Sequence, residues 1–197
     1  MTAVEYKSYS APPINKKELL RYIGTKALDP EILSLLESVI DESEKSLSYR
    51  VCYSRLPVAI FDNICDFGIF KVNSTSLAKN LCDSDEVIIF AATVGVGIDR
   101  LLSKYSRLSP SRAVLLDAFG NERIEALCDR FCEDVGSLHN VGLGRRFSPG
   151  YGDLPLHTQR EIFSLLSPTK YLGLSLTDSL LLTPSKSVTA FIGIKKG

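Results

Sequence analysis

The chain has 197 residues, of which 45% are hydrophobic, so it can bury a sizeable core, and we expect one domain over residues 1–197. Its 23 basic and 23 acidic residues cancel, which removes the global field that would draw it to nucleic acid or to an anionic membrane. The N-terminus does not resemble a signal peptide and no segment is apolar enough to cross a bilayer, so we expect a cytoplasmic protein whose five irregularly spaced cysteines are reduced thiols.

The N-terminal part predicts an extended arm and two helices. Residues 1–13 mix apolar and polar positions before two prolines, which is typical of an extended arm or an edge strand. Asn15 should cap a helix that ends at Gly24. Asp29-Pro30 should begin a second helix, which carries an apolar stripe and runs to about Ser46.

The next segment changes to β-rich patterns around one short helix. A helix is predicted from Ser74 to Leu81 because Ser or Thr can cap it. The apolar run from Glu86 to Thr93 has no alternation, which is typical of a central strand covered on both faces. Three shorter β-rich runs precede that helix, at 49–56, 58–61 and 67–72.

The second half predicts long helices, a glycine-rich connection and a hairpin. A helix is expected from Ile98 to Tyr105, and Ser109-Pro110 should open a long one, on which Gly120 marks a point of close packing. The remaining predictions are a glycine-rich connection at 141–153, a helix from about 155 to 166, and a terminal hairpin formed by strands at 173–182 and 187–194.

The order of these elements indicates the fold class. Helices and strands come in blocks and do not alternate one for one, which favours an α+β fold over a doubly wound one. We therefore predict a largely antiparallel twisted sheet with flanking helices.

The strongest local motif for a binding site lies in residues 142–153. Four glycines and a proline in twelve residues let backbone amides and carbonyls approach a ligand closely. Arg145 and Arg146 can pair with a carboxylate or phosphate, and Tyr151 can present a ring face or a hydroxyl. The residues alone leave two readings open, an anion or nucleotide pocket and a surface loop with solvated arginines.

Other motifs indicate structure more than chemistry. Gly95-Val96-Gly97 follows a strand, but Arg100 stands where a dinucleotide loop has its third glycine, so we expect a tight turn that could line the same pocket. His139 lies in a segment similar to a cobalt-ligating signature, but Ser137 holds its aspartate position. Cys128 and Cys132 lie one helical turn apart and are expected to be core thiols, with no metal site.

The last quarter of the chain resembles the activation domain of cobalamin-dependent methionine synthase. That family carries an Arg-x-Ala-Pro-Gly-Tyr loop, then a Glu/Lys-bearing helix, and then strands with Thr-x-Ser and Pro-x-x-x-Val-Ser. The same order occurs here, with Ser148 in place of the alanine of the loop. The matching segments are Arg146-Phe147-Ser148-Pro149-Gly150-Tyr151, His157-Thr158-Gln159, Leu176-Thr177-Asp178-Ser179 and Pro184-Ser185-Lys186-Ser187-Val188-Thr189-Ala190.

The resemblance implies an S-adenosylmethionine site in the 146–151 loop. By this resemblance Arg146 pairs with the ligand carboxylate, and the backbone of Ser148 and Tyr151 holds the adenosyl and amino groups. Pro149 and Gly150 of the same loop are also expected to bind the ligand. A buried cation needs a partner, and Glu125 on the long helix is the candidate, although a solvated position beside Asp129 is the alternative for this residue. The aromatic-bearing tail that follows the last strands in the family does not appear in this sequence.

The resemblance also implies the function and partners. The domain holds S-adenosylmethionine in line with cobalamin on a partner, supports its reductive methylation, and supplies no catalytic residue of its own. The expected partner is a separately encoded methionine synthase or another corrinoid protein, with a flavodoxin- or ferredoxin-type reductant. Two alternatives are a non-catalytic docking module that has lost the ligand and an ordinary S-adenosylmethionine-dependent methyltransferase, which usually needs a doubly wound sheet.

Overall fold

A computed structural model describes residues 3–25 and 29–195. The strands are β1 (Glu5–Tyr9), β2 (Tyr49–Pro57), β3 (Ala59–Phe61), β4 (Ile64–Asp66), β5 (Lys71–Asn73), β6 (Ser84–Thr93), β7 (Ser175–Leu176), β8 (Leu182–Thr183) and β9 (Ser187–Lys195). The helices are α1 (Lys16–Ile23), α2 (Pro30–Glu44), α3 (Thr75–Leu81), α4 (Gly97–Leu108), α5 (Pro110–His139), α6 (Thr158–Leu166) and α7 (Pro168–Leu172).

The main sheet has four strands in the order β1-β2-β6-β9, and all of its neighbours are antiparallel. β6 lies between β2 and β9, which confirms the central strand predicted from the apolar run at 86–93. β1 lies at the edge, as predicted for the N-terminal arm; Met1 and Thr2 of that arm lie outside the described residues. The α+β class with a largely antiparallel sheet is confirmed.

Each face of the sheet is covered by a different layer. On β6, Ile88 and Phe90 point to a core shared with Phe131 of α5, whereas Ile89 points to a core shared with Ile162 of α6. This alternation follows from the two-residue period of a strand, and burial on both faces explains the apolar run. A third apolar cluster joins α1, α2, α4 and α5.

The helix ends follow the predicted capping residues. The side chain of Asn15 accepts from the backbone N–H of Glu18, and Gly24 ends α1 with a φ of 84°. Asp29 caps α2 through the N–H of Ile32. Ser74 caps α3 in the same way through Leu77.

Two β predictions before α3 need correction. The predicted strand at 67–72 is wrong in its bounds, because Phe67 donates a backbone hydrogen bond to Phe70 in a turn and β5 begins only at Lys71. The strand β4 was not predicted. Asp62, at a φ of 54°, turns the chain from β3 into β4, so a segment that looks like a loop in sequence joins two strands of a small sheet.

The predicted terminal hairpin is wrong. Residues 187–194 do form a strand, but β9 pairs with β6 in the main sheet. Residues 173–182 contain only the two-residue β7, whose partner is the equally short β8. Burial of β9 on both faces makes the central sheet its best partner, and sequence periodicity does not show which strand a run will join. The short helix α7 was also not predicted.

In the described part of the chain, no helix is long and apolar enough to cross a membrane.

Candidate functional site

The glycine-rich segment runs along the outer edge of β9 before it turns away. Gly144 donates to the carbonyl of Gly193 at 2.8 Å, and Phe147 and Phe191 exchange both backbone hydrogen bonds at 2.9 Å. A Cβ on Gly144 would lie 3.4 Å from the Gly193 carbonyl oxygen, which is about van der Waals contact. The segment therefore pairs with β9 much as a short fifth strand would, and this pairing fixes the position of Arg146.

The chain leaves the edge after Phe147 in a tight turn. The N–H of Gly150, at a φ of 92°, donates to the carbonyl of Leu154, and that of Tyr151 donates to the carbonyl of Ser148. Each accepting carbonyl keeps a second lone pair that a ligand could use.

Asp153 anchors the end of this turn to α3. Its carboxylate accepts from the hydroxyl of Ser74 at 2.6 Å and from the backbone N–H groups of Thr75 and Ser76 at 2.8 and 3.0 Å. These hydrogen bonds, first that of Ser74, hold the pKa of the Asp153 carboxyl well below its usual range. The sequence motif gave no sign of this contact, because Ser74 is 79 residues away.

A cleft of about 640 Å³ opens between this loop, the start of α6, the β7–β8 hairpin and the first residues of β9. Its walls combine apolar side chains with a few polar groups, which is the usual character of a small-molecule site. The lining residues are Glu125, Arg146, Phe147, Ser148, Pro149, Tyr151, Leu156, Gln159, Leu180, Leu181, Leu182, Ser185, Ser187, Val188 and Thr189.

The charged end of the cleft is an arginine held by two carboxylates of α5. Arg146 donates to Glu125 at 2.6 Å and to Asp129 at 2.8 Å through its two terminal nitrogens. Glu125 lines the cleft and Asp129 does not. The two side chains singled out in the sequence, 21 residues apart, therefore meet at one wall. Glu125 shares Arg146 with Asp129, and it also faces the cleft.

The other predicted site residues divide between the wall and its support. Ser148, Pro149 and Tyr151 line the cleft, and the Tyr151 ring is 68% exposed at its mouth. Gly150 does not line the cleft, and its contribution is the positive φ that closes the turn.

The cleft also contains residues to which the sequence analysis gave no role. Gln159 and Thr189 are buried, and the hydroxyl of Thr189 donates to the Gln159 side-chain oxygen at 2.7 Å. Leu180, Leu181 and Leu182 form the opposite wall. A buried glutamine at the start of a helix has no signature in sequence, because an exposed one looks the same.

The remaining motifs are structural. A Cβ on Gly97 would lie 2.3 Å from the hydroxyl oxygen of Ser46, so Gly95-Val96-Gly97 is a tight turn, and it does not line the cleft. Burial raises the pKa of Cys128 and Cys132, as expected for core thiols. Within the described residues, no three His, Cys, Asp or Glu side chains come together as a metal site.

Comparisons with known proteins identify a family and a similar fold. Residues 77–196, which include the whole cleft, match a family model described as the activation domain of vitamin B12 dependent methionine synthase. Among solved structures, the chain is similar to a crystal structure of the MetH reactivation domain bound to AdoHcy, with 18% sequence identity and a TM-score of 0.73. That alignment covers 98% of this chain and 78% of the other. No curated protein matches the chain significantly.

Proposed function

The chain belongs to the family of vitamin B12-dependent methionine synthase activation domains, and on that premise we propose that it binds S-adenosylmethionine in the cleft beside β9. The observation that carries the proposal is the pairing of Arg146 with Glu125 at the cleft wall. The similar reactivation domain was crystallised with AdoHcy, which differs from S-adenosylmethionine by one methyl group.

The charged wall fits the amino-acid end of this ligand. S-adenosylmethionine carries a carboxylate and an ammonium on one carbon, so it needs a cation and an anion side by side. Arg146 offers a guanidinium that can pair with a carboxylate through two parallel hydrogen bonds. Glu125 lies 2.6 Å from it and is the matching anion for the ammonium.

The rest of the cleft fits the adenosyl end. Leu156, Leu182 and Val188 provide apolar surface for a flat ring, and Pro149 closes one side. The carbonyls of Ser148 and Tyr151 face the same turn and can accept from the ribose or the amino group.

This chemistry gives the protein a positioning role. S-adenosylmethionine supplies a methyl group, and cobalamin carried by a partner receives it together with an electron. The partner is a corrinoid protein encoded separately, a methionine synthase by preference, and a flavodoxin or ferredoxin supplies the electron. The chain contributes the orientation of the methyl donor, and Arg146 and Glu125 hold the donor by the end that does not react.

Calorimetric titration with S-adenosylmethionine tests the ligand claim. Arg146→Ala should weaken binding about 10- to 100-fold, since hydrogen bonds to charged groups contribute roughly 1.5–3 kcal/mol. Arg145→Ala is the matched control, because Arg145 is exposed and does not line the cleft, and it should bind like the wild type. An absence of heat from the wild type at millimolar ligand contradicts the proposal.

One observation favours the alternative, a docking module without the ligand. Arg146 already has two carboxylate partners, so the cleft is electrostatically satisfied as it stands. Co-purification of a corrinoid protein by a chain that binds no S-adenosylmethionine would establish that alternative.

A further inference from the structure

The strand β1 forms one edge of the main sheet, and its outer side is open. Along an antiparallel strand, the backbone N–H and C=O of successive residues point alternately to the neighbours on either side. Val58, directly after β2, donates to the carbonyl of Asp85 in β6, so the even-numbered residues of β2 face β6 and the odd-numbered ones face β1. In the register of β1 with β2, Lys7 lies opposite Val51, so the odd-numbered residues of β1 face β2. The backbone groups of its even-numbered residues therefore point outward.

Tyr6 and Ser8 carry these outward backbone groups. Within residues 3–25 and 29–195, no residue makes a backbone hydrogen bond to them, because β1 pairs with β2 alone. β1 has five residues, which is the usual length of a strand. An exposed strand edge is a template for pairing with another chain, so this edge can accept a strand of similar length from a partner.

The side chains of β1 place one acid and one base on the same face of this edge. Glu5 accepts from the hydroxyl of Tyr53 at 2.6 Å, and Lys7 donates to Asp134 of α5 at 2.6 Å, so both lie on the α5 face of the sheet. Tyr6 lies on the other face. A carboxylate accepts several hydrogen bonds and an ammonium donates three, so Glu5 and Lys7 can each take a second partner.

Only one symmetric pairing of two β1 strands brings opposite charges together. Two copies related by a twofold axis pair antiparallel, and their outward residues must lie opposite each other. With Tyr6 on the axis, Glu5 of each copy lies opposite Lys7 of the other, in the pairs whose side chains approach most closely. With the axis one residue further along or back, Lys7 lies opposite Lys7 or Glu5 opposite Glu5, and like charges in such pairs are destabilising. The charge pattern of β1 therefore fits a second copy of the same strand in one register.

We propose that two copies of this chain associate through the outer edges of β1, with Tyr6 on the twofold axis. The N–H and C=O of Tyr6 pair with those of Tyr6 in the second copy, and Ser8 pairs with Val4. Two Glu5–Lys7 ion pairs form on the α5 face. The two Tyr6 rings, each from a side chain that is 45% exposed in the single chain, meet on the opposite face. The two four-stranded sheets then form one sheet of eight strands.

This association leaves the cleft accessible. The cleft lies beside β9, and β9 and β1 are the two opposite ends of the strand order β1-β2-β6-β9. A dimer joined at β1 therefore carries its two clefts at the far ends of the eight-stranded sheet, where each can receive a ligand and a partner independently. The association goes beyond the proposed ligand site and does not depend on it.

Sedimentation velocity over a series of protein concentrations tests the association. The wild type should change from monomer to dimer as its concentration rises. Glu5→Lys should weaken the dimer at least about tenfold, because it replaces two ion pairs with two pairs of like charge. Glu37→Lys, the same charge change at an exposed position of α2, is the control and should dimerise like the wild type. A wild type that stays monomeric at every concentration would overturn the proposal.

Ser8→Pro tests the backbone pairing separately from the charges. The substitution removes an outward N–H from each copy, whereas the inward bonds of Lys7 and Tyr9 to β2 remain, and an open edge tolerates proline. The dimer should weaken about tenfold, since each lost hydrogen bond contributes roughly 1 kcal/mol. Thermal unfolding checks that the Ser8→Pro and Glu5→Lys proteins fold. If either folded variant dimerises like the wild type, another surface joins the two copies and the proposal is wrong.

Discussion

At the scale of single residues, the two carboxylates that hold Arg146 have different positions. The side chain of Glu125 is 43% exposed and that of Asp129 is 69% exposed. Only Glu125 lines the cleft, so it can meet a ligand ammonium, whereas Asp129 competes with the ligand carboxylate for the guanidinium. The two acids should therefore have opposite effects on ligand affinity.

Asp129→Asn should tighten AdoHcy binding about two- to fivefold, because an exposed ion pair contributes up to about 1 kcal/mol and the substitution removes this competitor. Glu125→Gln should weaken binding, since it removes the partner of the ammonium. Calorimetric titration of the two variants measures both effects. Loss of more than tenfold in affinity in Asp129→Asn would show that Asp129 belongs to the site.

The hydrogen bonds of the Asp153 carboxylate should make the stability of the fold depend on pH. Its pKa is lowered in the folded protein by the hydrogen bonds from Ser74 and from the N–H groups of α3. The contribution of Asp153 to the free energy of unfolding is therefore complete above the usual aspartate pKa of about 4, and it is lost as the pH falls below that value. Asp153→Asn should lower the denaturation midpoint at pH 7. The gap between variant and wild type should narrow below about pH 4, as urea unfolding at several pH values can measure. A gap that stays constant across this range would contradict the assignment.

The residues of the cleft that the sequence predicted, charged and neutral alike, belong to one loop or pair with it. Arg146 and Glu125 came from a loop motif and from the need of a cation for a partner. Gln159 and Thr189 became visible as cleft residues only in the structure, because the burial that brings α6 against β9 is a property of tertiary contact. The same holds for Asp153, whose partners lie on a distant helix.

At the scale of elements, α5 connects both segments that frame the cleft. Glu125 and Asp129 hold Arg146, and one to two turns earlier Asp117 and Asn121 hold the ammonium of Lys186 at 2.6 and 2.7 Å. These four residues recur every four positions and form one polar stripe on the helix. The stripe fixes the β8–β9 connection and the glycine-rich loop relative to each other.

Gly120 lies beside this stripe, and the predicted close packing is confirmed. A Cβ there would lie 2.8 Å from Cε of Lys186 and 3.1 Å from Cγ2 of Ile98. Moving Lys186 would break its bonds to Asp117 and Asn121, so Gly120→Ala should destabilise the fold by about 1–3 kcal/mol.

Gly136→Ala on the same helix is the matched control. Its Cβ would meet its nearest described neighbour, the Val141 carbonyl oxygen, at 3.5 Å, so the better helix propensity of alanine should stabilise the protein by about 0.5–1 kcal/mol. Urea unfolding of the two variants should give shifts of opposite sign. Shifts of the same sign would contradict the packing argument.

At the scale of the whole molecule, local sequence patterns predicted where the helices and strands lie better than they predicted which strands pair. The burial of the 86–93 run and the caps at Asn15, Asp29 and Ser74 are local signals, and each was confirmed. The terminal hairpin failed because pairing depends on the whole sheet. β9 joins β6 across about 100 residues, and no short-range signal reports that choice.

We propose that residues 1–197 fold as one unit. The family match begins at residue 77, but β2 pairs with β6 over eight positions, so the preceding segment completes the same sheet. Unfolding followed by far-UV circular dichroism and by tyrosine fluorescence should then give one coincident transition. The chain has eight tyrosines and no tryptophan, which makes tyrosine the suitable probe. Two separated transitions would indicate two units.

The central claim is that Arg146 recognises the amino-acid end of an adenosyl ligand. The most direct measurement is a cycle of calorimetric titrations, with wild type and Arg146→Ala each binding AdoHcy and 5′-methylthioadenosine, which lacks the carboxylate and the ammonium. The wild type should prefer AdoHcy at least about tenfold, and the variant should lose most of that preference while its affinity for 5′-methylthioadenosine stays the same. An equal preference for AdoHcy in both proteins would contradict the claim.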